Sequence, residues 1–297
     1  MSEFTVSAPA SSANLGAGFD AVALALELRM SARVRLGAST SRDWVYGGVR
    51  APTYDGLRGC IERGIARIAP APPRFAVELD NAIPLGAGLG SSAAGYALGV
   101  AIGARLIERP PSDAALALAV AELEGHPDNA LAAWYGGTIV ASLGPDGLNS
   151  AHFAPLDVRA VVVVPDLVLP TDAARALLPA TYTRDDTVHS VQRAALLGAA
   201  LASGRIELLR AAVRDRLHQP YRAAAIPGLR DILAYDDPAV VAVTLSGAGP
   251  SVLALVRDEP ARIGAAIAAI FARHGLRSEV LTLALASLGV TASVPAG

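Results

Sequence analysis

The hydrophobic and polar positions follow two different periods along the chain, and together they predict strands that alternate with helices. Residues 75–79 alternate apolar and polar side chains with the period of two that is typical of a half-buried strand. Residues 54–68 instead carry leucine or isoleucine three and four positions apart, which predicts an amphipathic helix. The proline-rich residues 70–73 end that helix.

The same patterns predict the remaining elements. Strands are expected at 3–10, over 21–37 as strands separated by a turn, and at 137–143, 159–165, 239–256 and 278–285. Helices are expected at about 91–107, 113–124, a short stretch ending near 134, and at 172–177, 187–204, 205–216 and 259–273. The segment 145–155 has the composition of a loop, and it is the predicted boundary between two α+β domains, residues 1–155 and 156–297.

Two stretches, 81–104 and 238–256, lack charged residues for long enough to span a membrane as a helix. Both contain a proline and several glycines, and a helix in contact with lipid cannot accommodate so many turn-forming residues. The first residues do not form a basic segment followed by an apolar one, so no signal peptide is predicted. We therefore expect a cytoplasmic protein with no membrane partner.

Three glycines, Gly95, Gly99 and Gly103, recur every four residues in the predicted helix 91–107. In a membrane such a stripe marks a dimerising helix face. In water it indicates a helix that lies very close to a sheet or to another helix. The polar, glycine-rich turn just before the helix favours the second interpretation.

The chain contains no lysine, so all 25 of its basic residues are arginine. This excludes a Schiff-base lysine, the lysine of an ordinary P-loop and the strand lysine of a protein kinase. One cysteine, Cys60, and five scattered histidines predict neither a disulfide nor a zinc site. A net charge of -2 without a basic run predicts no nucleic-acid partner.

Residues 84–94, PLGAGLGSSAA, are the most informative segment. Its glycines let the backbone pass close to a ligand, and its serines open a helix whose first N–H groups have no partner inside the helix. Free amides and the positive end of the helix dipole then face the same point. This arrangement binds anions and can hold phosphate without lysine.

Two alternatives for this segment follow from the residues alone. Ser91 can be the ordinary N-cap of a helix that follows a glycine-rich turn. Residues 88–93 also fit the G-x-G-x-x-A form of a dinucleotide-binding fingerprint. That fingerprint needs an acidic residue at the end of the next strand, whereas Glu108, at about the right distance, ends a helix. The context disfavours the dinucleotide interpretation.

The segment 84–94 resembles the nucleotide loop of the GHMP small-molecule kinases, which include galactokinase, homoserine kinase, mevalonate kinase and phosphomevalonate kinase. Residues 11–20, SSANLGAGFD, resemble the family's N-terminal motif in its homoserine kinase form, and residues 246–251, SGAGPS, its C-terminal glycine motif. Three further segments are similar to homoserine kinases in particular, at 124–129 (EGHPDN), 171–175 (TDAAR) and 219–228 (QPYR, then IPG). Six motifs in the right order cover nearly the whole chain.

The resemblance implies a two-domain α+β GHMP kinase fold. Its N-terminal domain would be ribosomal-protein-S5-domain-2-like and its C-terminal domain a ferredoxin-like α/β sandwich. The implied reaction transfers the γ-phosphate of ATP to the hydroxyl of L-homoserine, with Mg²⁺, in threonine biosynthesis, and the usual assembly is a homodimer. Two alternatives stay open: a GHMP kinase acting on another small alcohol, and a non-catalytic metabolite-binding regulator on the same fold.

By the same resemblance, nucleotide binding falls to the whole glycine-rich loop. Its residues are Pro84, Leu85, Gly86, Ala87, Gly88, Leu89, Gly90, Ser91, Ser92, Ala93 and Ala94. Glu122 and the hydroxyl of Ser92 become the Mg²⁺ ligands, since Mg²⁺ needs only a few protein oxygens besides water and phosphate. Without the family, Glu122 is an exposed carboxylate on a helix.

Substrate binding is implied for eight residues. They are Asn14, Asp20, His126, Asn129, Thr171, Arg175, Arg222 and Gly247. Asp20 suits an ammonium group, and Arg175 and Arg222 suit a carboxylate, because a guanidinium fork matches two carboxylate oxygens. His126, Asn129 and Arg175 are also the predicted catalytic residues. Taken singly they have ordinary alternatives: an Asx-turn for Asp20, a helix N-cap for Asn129 and solvated surface groups for the arginines.

Asn129 stands where relatives with an aspartate base would carry it, and asparagine accepts no proton at neutral pH. The sequence therefore predicts direct in-line transfer, catalysed by positioning and charge neutralisation. Residues 51–54, APTY, depart from the family, which often has an asparagine near the adenine there. The adenine pocket is therefore not carried over to this chain.

Overall fold

The computed structural model describes residues 3–37, 44–47 and 55–293, apart from the side chain of Asp55. Within these ranges the strands are β1 (Glu3–Ala13), β2 (Val22–Leu36), β3 (Trp44–Gly47), β4 (Phe75–Asn81), β5 (Thr138–Gly144), β6 (Gly147–Phe153), β7 (Arg159–Pro165), β8 (Val240–Leu245), β9 (Val252–Val256), β10 (Ser278–Leu283) and β11 (Thr291–Ser293). The helices are α1 (Asp55–Ile68), α2 (Ser91–Arg105), α3 (Asp113–Glu124), α4 (Pro127–Tyr135), α5 (Thr171–Ala176), α6 (Arg184–Ser203), α7 (Leu209–Ala212), α8 (Gln219–Arg222), α9 (Leu229–Leu233) and α10 (Pro260–Arg273). A 3₁₀ turn (Ile206–Leu208) precedes α7.

The first sheet is organised around the long strand β2. The described strands follow the order β11-β1-β2-β4-β3, and β5 pairs with the start of β2 and carries β6 on its far side. Residues 30–36 of β2 pair with β4 and residues 22–24 with β5. Helices α1 to α4 pack with this sheet in one hydrophobic core, in which Ala93 to Gly103 of α2 are all buried.

The second sheet is antiparallel and has the order β10-β7-β9-β8. Its own core lies between these strands and α9 and α10, which contribute Leu229, Ile232, Ile263, Ile267 and Phe271. The chain passes from the first sheet to the second between β6 and β7. Residues 284–293 then return to the first sheet, where Thr5 pairs with Ser293 and Leu26 with Leu285. The division of the chain at residues 155 and 156 stays a prediction.

The glycine stripe of α2 faces α1. A Cβ atom at residue 99 would lie 2.2 Å from the carbonyl oxygen of Ile61, and one at Gly64 would lie 2.9 Å from the Cα of Gly99. Side chains at these positions would push the two helix backbones apart. The prediction that this helix lies very close to another element is confirmed. No helix in the described part of the chain is long and apolar enough to span a membrane.

Three element predictions are wrong, each for a physical reason. The predicted strands separated by a turn over 21–37 form one continuous strand, because β1 pairs along most of β2 on one side and β4 and β5 pair with its two ends on the other. The predicted loop 145–155 contains β6, a strand whose side chains are mostly exposed, so its sequence carries no apolar alternation. The predicted helix 205–216 is a 3₁₀ turn followed by the single turn of α7. Residues 51–54 lie outside the described residues.

Candidate active site

The glycine-rich segment forms a turn that ends at the N-terminus of α2. Gly86, Gly88 and Gly90 have φ angles of 64°, 76° and 66°, in the left-handed region that favours glycine. A Cβ atom on Gly88 would lie 2.3 Å from the carbonyl oxygen of Ser246, so the backbone approach also requires glycine there. The N-cap is Gly90, without a side-chain hydrogen bond. Ser91 is therefore not the N-cap, and the helix end is left to accept a ligand.

Hydrogen bonds join the three glycine motifs of the chain around this turn. The backbone N–H of Ser11 donates to the carbonyl of Leu89 at 3.1 Å, and the N–H of Ser251 to that of Ala87 at 3.3 Å. The hydroxyl of Ser246 donates to the carbonyl of Gly88 at 2.7 Å. Residues at the ends of β1 and β8 and just before β9 thus donate to the carbonyl groups of the turn. The three glycine motifs therefore meet at one place.

A cavity of about 730 Å³ opens beside the turn. It is lined by most of the residues that the sequence singles out: Asn14, Asp20, Gly86, Gly88, Leu89, Gly90, Ser91, Ser92, His126, Asn129, Thr171, Arg175, Arg222 and Gly247. Six of the predicted residues are not part of its lining, namely Pro84, Leu85, Ala87, Ala93, Ala94 and Glu122. A second cavity of about 720 Å³, behind α8, contains none of the predicted site residues.

In the lining of the same cavity, Asp20 and Arg175 form a two-pronged ion pair. The two guanidinium nitrogens Nη1 and Nη2 donate to the two carboxylate oxygens at 3.0 and 3.1 Å. Asn14 holds this loop in place, since its Oδ1 accepts from the N–H of Asp20 at 2.9 Å and its Nδ2 donates to the carbonyl of Gly247 at 2.8 Å. Both polar atoms of the Asn14 side chain are therefore used to position Asp20.

Arg222 lies deeper, with only 1% of its surface exposed. Its Nη1 donates to the carbonyl of Gly247 at 3.1 Å and lies 3.0 Å from Nδ1 of His218, whose Nε2 lies 2.8 Å from the carbonyl oxygen of Gly16. Burial lowers the pKa of Arg222, with the neighbouring Arg175 acting in the same direction. Burial also lowers the pKa of His218.

Glu124, and not Glu122, meets Ser92. The Ser92 hydroxyl donates to Oε1 of Glu124 at 2.8 Å. Glu122 is exposed and lies 2.9 Å from Arg67 on α1. The two glutamates are two residues apart on α3, so they point about 200° apart around the helix. The predicted Glu122–Ser92 pair is therefore corrected to Glu124–Ser92.

The half-buried Glu124 carboxylate is short of positive charge. Burial raises its pKa to about 7, against the opposing effects of His126 and the Ser92 hydrogen bond. Within the described residues, no arginine lies at ion-pair distance from Glu124. A carboxylate in contact with a hydroxyl, partly removed from water and without such a partner, is a suitable donor set for Mg²⁺. The residues present thus fit the metal that the family implies.

The segment 126–129 enters α4, with His126 as its N-cap. Asp128 is 1% exposed, and its Oδ1 accepts from the N–H of Asn129 at 2.7 Å and lies 3.2 Å from Nδ1 of His126. The Asp128 carboxylate raises the pKa of His126. Oδ1 of Asn129 accepts from the Ser11 hydroxyl at 2.7 Å, which leaves the amide Nδ2 as the free group of that side chain.

Two family models match the chain. The model of the GHMP kinase N-terminal domain matches residues 57–137, and that of the GHMP kinase C-terminal domain matches residues 197–273. The chain belongs to the GHMP kinase family. The matched ranges contain the glycine-rich turn with Glu124 and Asn129 in the first domain, and Arg222 in the second.

Similar GHMP kinases carry a more specific name. A homoserine kinase of Solibacter usitatus is 40% identical over 294 residues, covering 96% of both chains. A homoserine kinase of Deinococcus radiodurans is 41% identical, over 96% of this chain and 95% of its own. The crystal structure of a homoserine kinase from Cytophaga hutchinsonii superimposes with a TM-score of 0.83 at 25% identity, over 99% of this chain and 98% of that one. The predicted two-domain α+β GHMP kinase fold is confirmed.

Sequence reasoning missed four residues of this GHMP kinase site. Glu124 and Asp128 lie inside a motif that the sequence identifies, so the signal for them was present. Phe19 lies near Arg175 and Arg222, whose guanidinium carbons are 5.7 and 5.4 Å from its ring centre. Phe19 also stacks on His218 at 5.0 Å, and a single histidine carries no signal for such a contact.

Thr171 is the first residue of α5 and lines the cavity one helical turn before Arg175. The N-cap of that helix is Pro170, so Thr171 does not cap the helix with its side chain. Its hydroxyl is therefore available to a ligand.

Proposed function

We propose that this GHMP kinase transfers the γ-phosphoryl group of ATP to the side-chain hydroxyl of L-homoserine and forms O-phospho-L-homoserine. The proposal depends chiefly on the Asp20–Arg175 pair, which lines the same cavity as the glycine-rich turn. An α-amino acid carries its ammonium and carboxylate groups on the same carbon atom. A neighbouring carboxylate and guanidinium complement both groups at once. The similar proteins from Solibacter usitatus and Deinococcus radiodurans, which are named homoserine kinases, support homoserine as this amino acid.

Arg222 strengthens the preference for an amino acid. Its Nη1 is engaged with Gly247, and its Nη2 makes no hydrogen bond within the described part of the chain. A substrate carboxylate can therefore accept a hydrogen bond from Nη2 of Arg222, and it can share the guanidinium of Arg175 with Asp20. A sugar or a plain hydroxy acid would leave Asp20 without an ammonium partner, so such substrates are disfavoured.

Mg²⁺ would be held by Glu124 and the hydroxyl of Ser92. When bound, it supplies positive charge to the phosphate oxygens during transfer. The glycine-rich turn contributes backbone amides and the positive end of α2 to the same phosphates. These groups replace the lysine that the chain lacks.

The transfer needs no carboxylate base. The hydroxyl oxygen of homoserine bonds to the γ-phosphorus as the bond from that phosphorus to the β–γ bridging oxygen breaks, and the hydroxyl proton passes to a γ-phosphate oxygen or to water. Asn129 donates a hydrogen bond through Nδ2 and accepts no proton. The carboxylate of Asp128 is engaged by His126 and by the N–H of Asn129.

An Asn129→Asp variant tests the absence of a base. We expect its kcat to fall, because an added negative charge beside the phosphates opposes their binding and gives no benefit to a reaction that needs no base. Steady-state kinetics with both substrates measure this. A large rise in kcat with unchanged homoserine affinity would contradict direct transfer.

The function itself is tested by ADP release with homoserine, serine, threonine, mevalonate and galactose as acceptors. We expect kcat/KM to be highest for homoserine, with the product identified as its O-phosphate. Turnover confined to mevalonate or galactose would replace the substrate assignment. Nucleotide binding without turnover of any acceptor would support a regulator instead.

A further inference from the structure

Arg63 on α1 lines the same cavity as the glycine-rich turn. Helix α1 packs closely on α2, and this places the guanidinium of Arg63 over the ring of Tyr96. The distance from the guanidinium carbon to the ring centre is 5.2 Å. Tyr96 follows Ser92 by four residues, so both lie on one face of α2. Arg63 is therefore about one helical turn from the hydroxyl that meets Glu124.

The three arginines of α1 differ in their partners. Arg58 lies 2.9 Å from the carboxylate of Glu62, and Arg67 lies 2.9 Å from that of Glu122. Arg63 has no carboxylate at ion-pair distance within the described residues. Its Nε donates to the carbonyl of Gly59 at 3.3 Å, and its Nη2 lies 3.8 Å from the sulfur of Cys60. A thiol is a weak acceptor, so a charged ligand can replace it.

The position of this cation matches the charge that ATP brings. Three arginines line the cavity within residues 3–37, 44–47 and 55–293. Arg175 is paired with Asp20, and Arg222 is buried at the amino-acid end. Arg63 is thus the arginine on the side of Glu124, and its charge lowers the pKa of that carboxyl. A triphosphate has no lysine to meet in this chain.

We propose that Arg63 is a nucleotide-binding residue that leaves the thiol of Cys60 and donates to a phosphate group of ATP, while the ring of Tyr96 supports its guanidinium plane. The proposal rests on the proposed function, because it requires ATP at residues 84–94. Arginine suits this position because its planar fork both stacks on an aromatic ring and matches phosphate oxygens.

Direct nucleotide binding tests the proposal. The dissociation constants of ATP, ADP and adenosine are measured by calorimetry at fixed Mg²⁺ for the wild type, Arg63→Gln and Arg63→Lys. Loss of a charge-assisted hydrogen bond predicts about 10- to 100-fold weaker ATP and ADP binding for Arg63→Gln. Arg63→Lys should lose less of its affinity for ATP and ADP, because the positive charge remains. Adenosine binding and the KM for homoserine should stay within about twofold in both variants.

Arg67→Ala is the matched control, because Arg67 is one turn along α1, equally charged, and paired with Glu122 outside the cavity lining. It should bind ATP like the wild type. Thermal melting shows that each variant is folded, which the exposed position of Arg63 favours. If Arg63→Gln binds ATP as tightly as the wild type does, or if its affinity for adenosine falls as much as its affinity for ATP, the proposal for Arg63 is overturned. The proposed function would still stand in that case, provided that the wild type phosphorylates homoserine. A wild type that neither binds ATP nor phosphorylates homoserine would overturn both.

Discussion

Glu122 and Glu124 are chemically identical, and their surroundings alone distinguish them. Glu122 points to solvent beside Arg67, whereas Glu124 is half-buried against Ser92. Burial raises the pKa of Glu124 to about 7, although the charges of His126 and Arg63 lower it. A bound cation would add positive charge beside this carboxylate.

A pair of matched variants separates the two glutamates. Glu124→Gln keeps the shape of the side chain but removes the charge, and we expect the Mg²⁺ affinity to fall by about 10- to 100-fold, or by more. The Mg²⁺ affinity of Glu122→Gln should stay within about twofold of the wild-type value, because this variant loses only an exposed ion pair. The Mg²⁺ concentration for half-maximal ADP release measures both. The opposite order would restore Glu122 as the ligand.

This pair also shows where sequence reasoning ends at the scale of residues. The motif 124–129 contributes His126 and Asn129 to the cavity lining, but the choice between two glutamates depends on which face of α3 turns to α2, and no local pattern contains that. Asp20 illustrates a second limit. The sequence shows that Asp20 and Arg175 carry opposite charges. No local pattern predicts that two residues 155 positions apart form an ion pair.

At the scale of elements, the glycine stripe determines how near α1 comes to the glycine-rich turn. The contact places backbone against backbone, as the 2.2 Å approach of a Cβ at residue 99 indicates. The spacing predicted this contact because it is a local, periodic property. Helix α8 has four residues and is too short for any period, and only motif resemblance found the arginines that α5 and α8 carry.

Gly99→Ala should destabilise the protein, by about 1–3 kcal/mol in the free energy of unfolding, because the added methyl group forces two backbones apart. Gly198→Ala in α6 is the control. A Cβ there meets nothing within 4 Å, so the change should stabilise the helix by about 0.5–1 kcal/mol. Urea unfolding followed by circular dichroism measures both. Equal effects of the two substitutions would mean that the close contact does not constrain the fold.

For the whole molecule, His218 connects the two halves of the site. It belongs to the segment that leads into α8, and its ring lies against Gly16 and Phe19 of the first domain's loop. Burial holds its pKa below the ordinary value near 6.5. The folded protein therefore binds this proton less readily than the unfolded chain does.

The consequence is a loss of stability in acid. As the pH falls through about 6.5, the unfolded chain takes up a proton at this histidine and the folded protein does not, so the free energy of unfolding decreases. We expect the decrease between pH 7.5 and 5.5 to be larger for the wild type than for His218→Gln, which has no such proton. Denaturant melts at several pH values test this. Parallel curves for the two proteins would show that His218 titrates normally in the folded state.

The return of residues 284–293 to the first sheet has a mechanical consequence. The second sheet leaves the first after Phe153 and rejoins it directly after Leu283, so two covalent tethers connect the halves. A unit attached by one linker can swing about it as a hinge, but a unit attached at two points can turn only about the line that joins them. Val162 and Leu253 of the second sheet also belong to the hydrophobic core of the first sheet. The two tethers and this shared core together hold the arginines of the second half beside Asp20 and the glycine-rich turn.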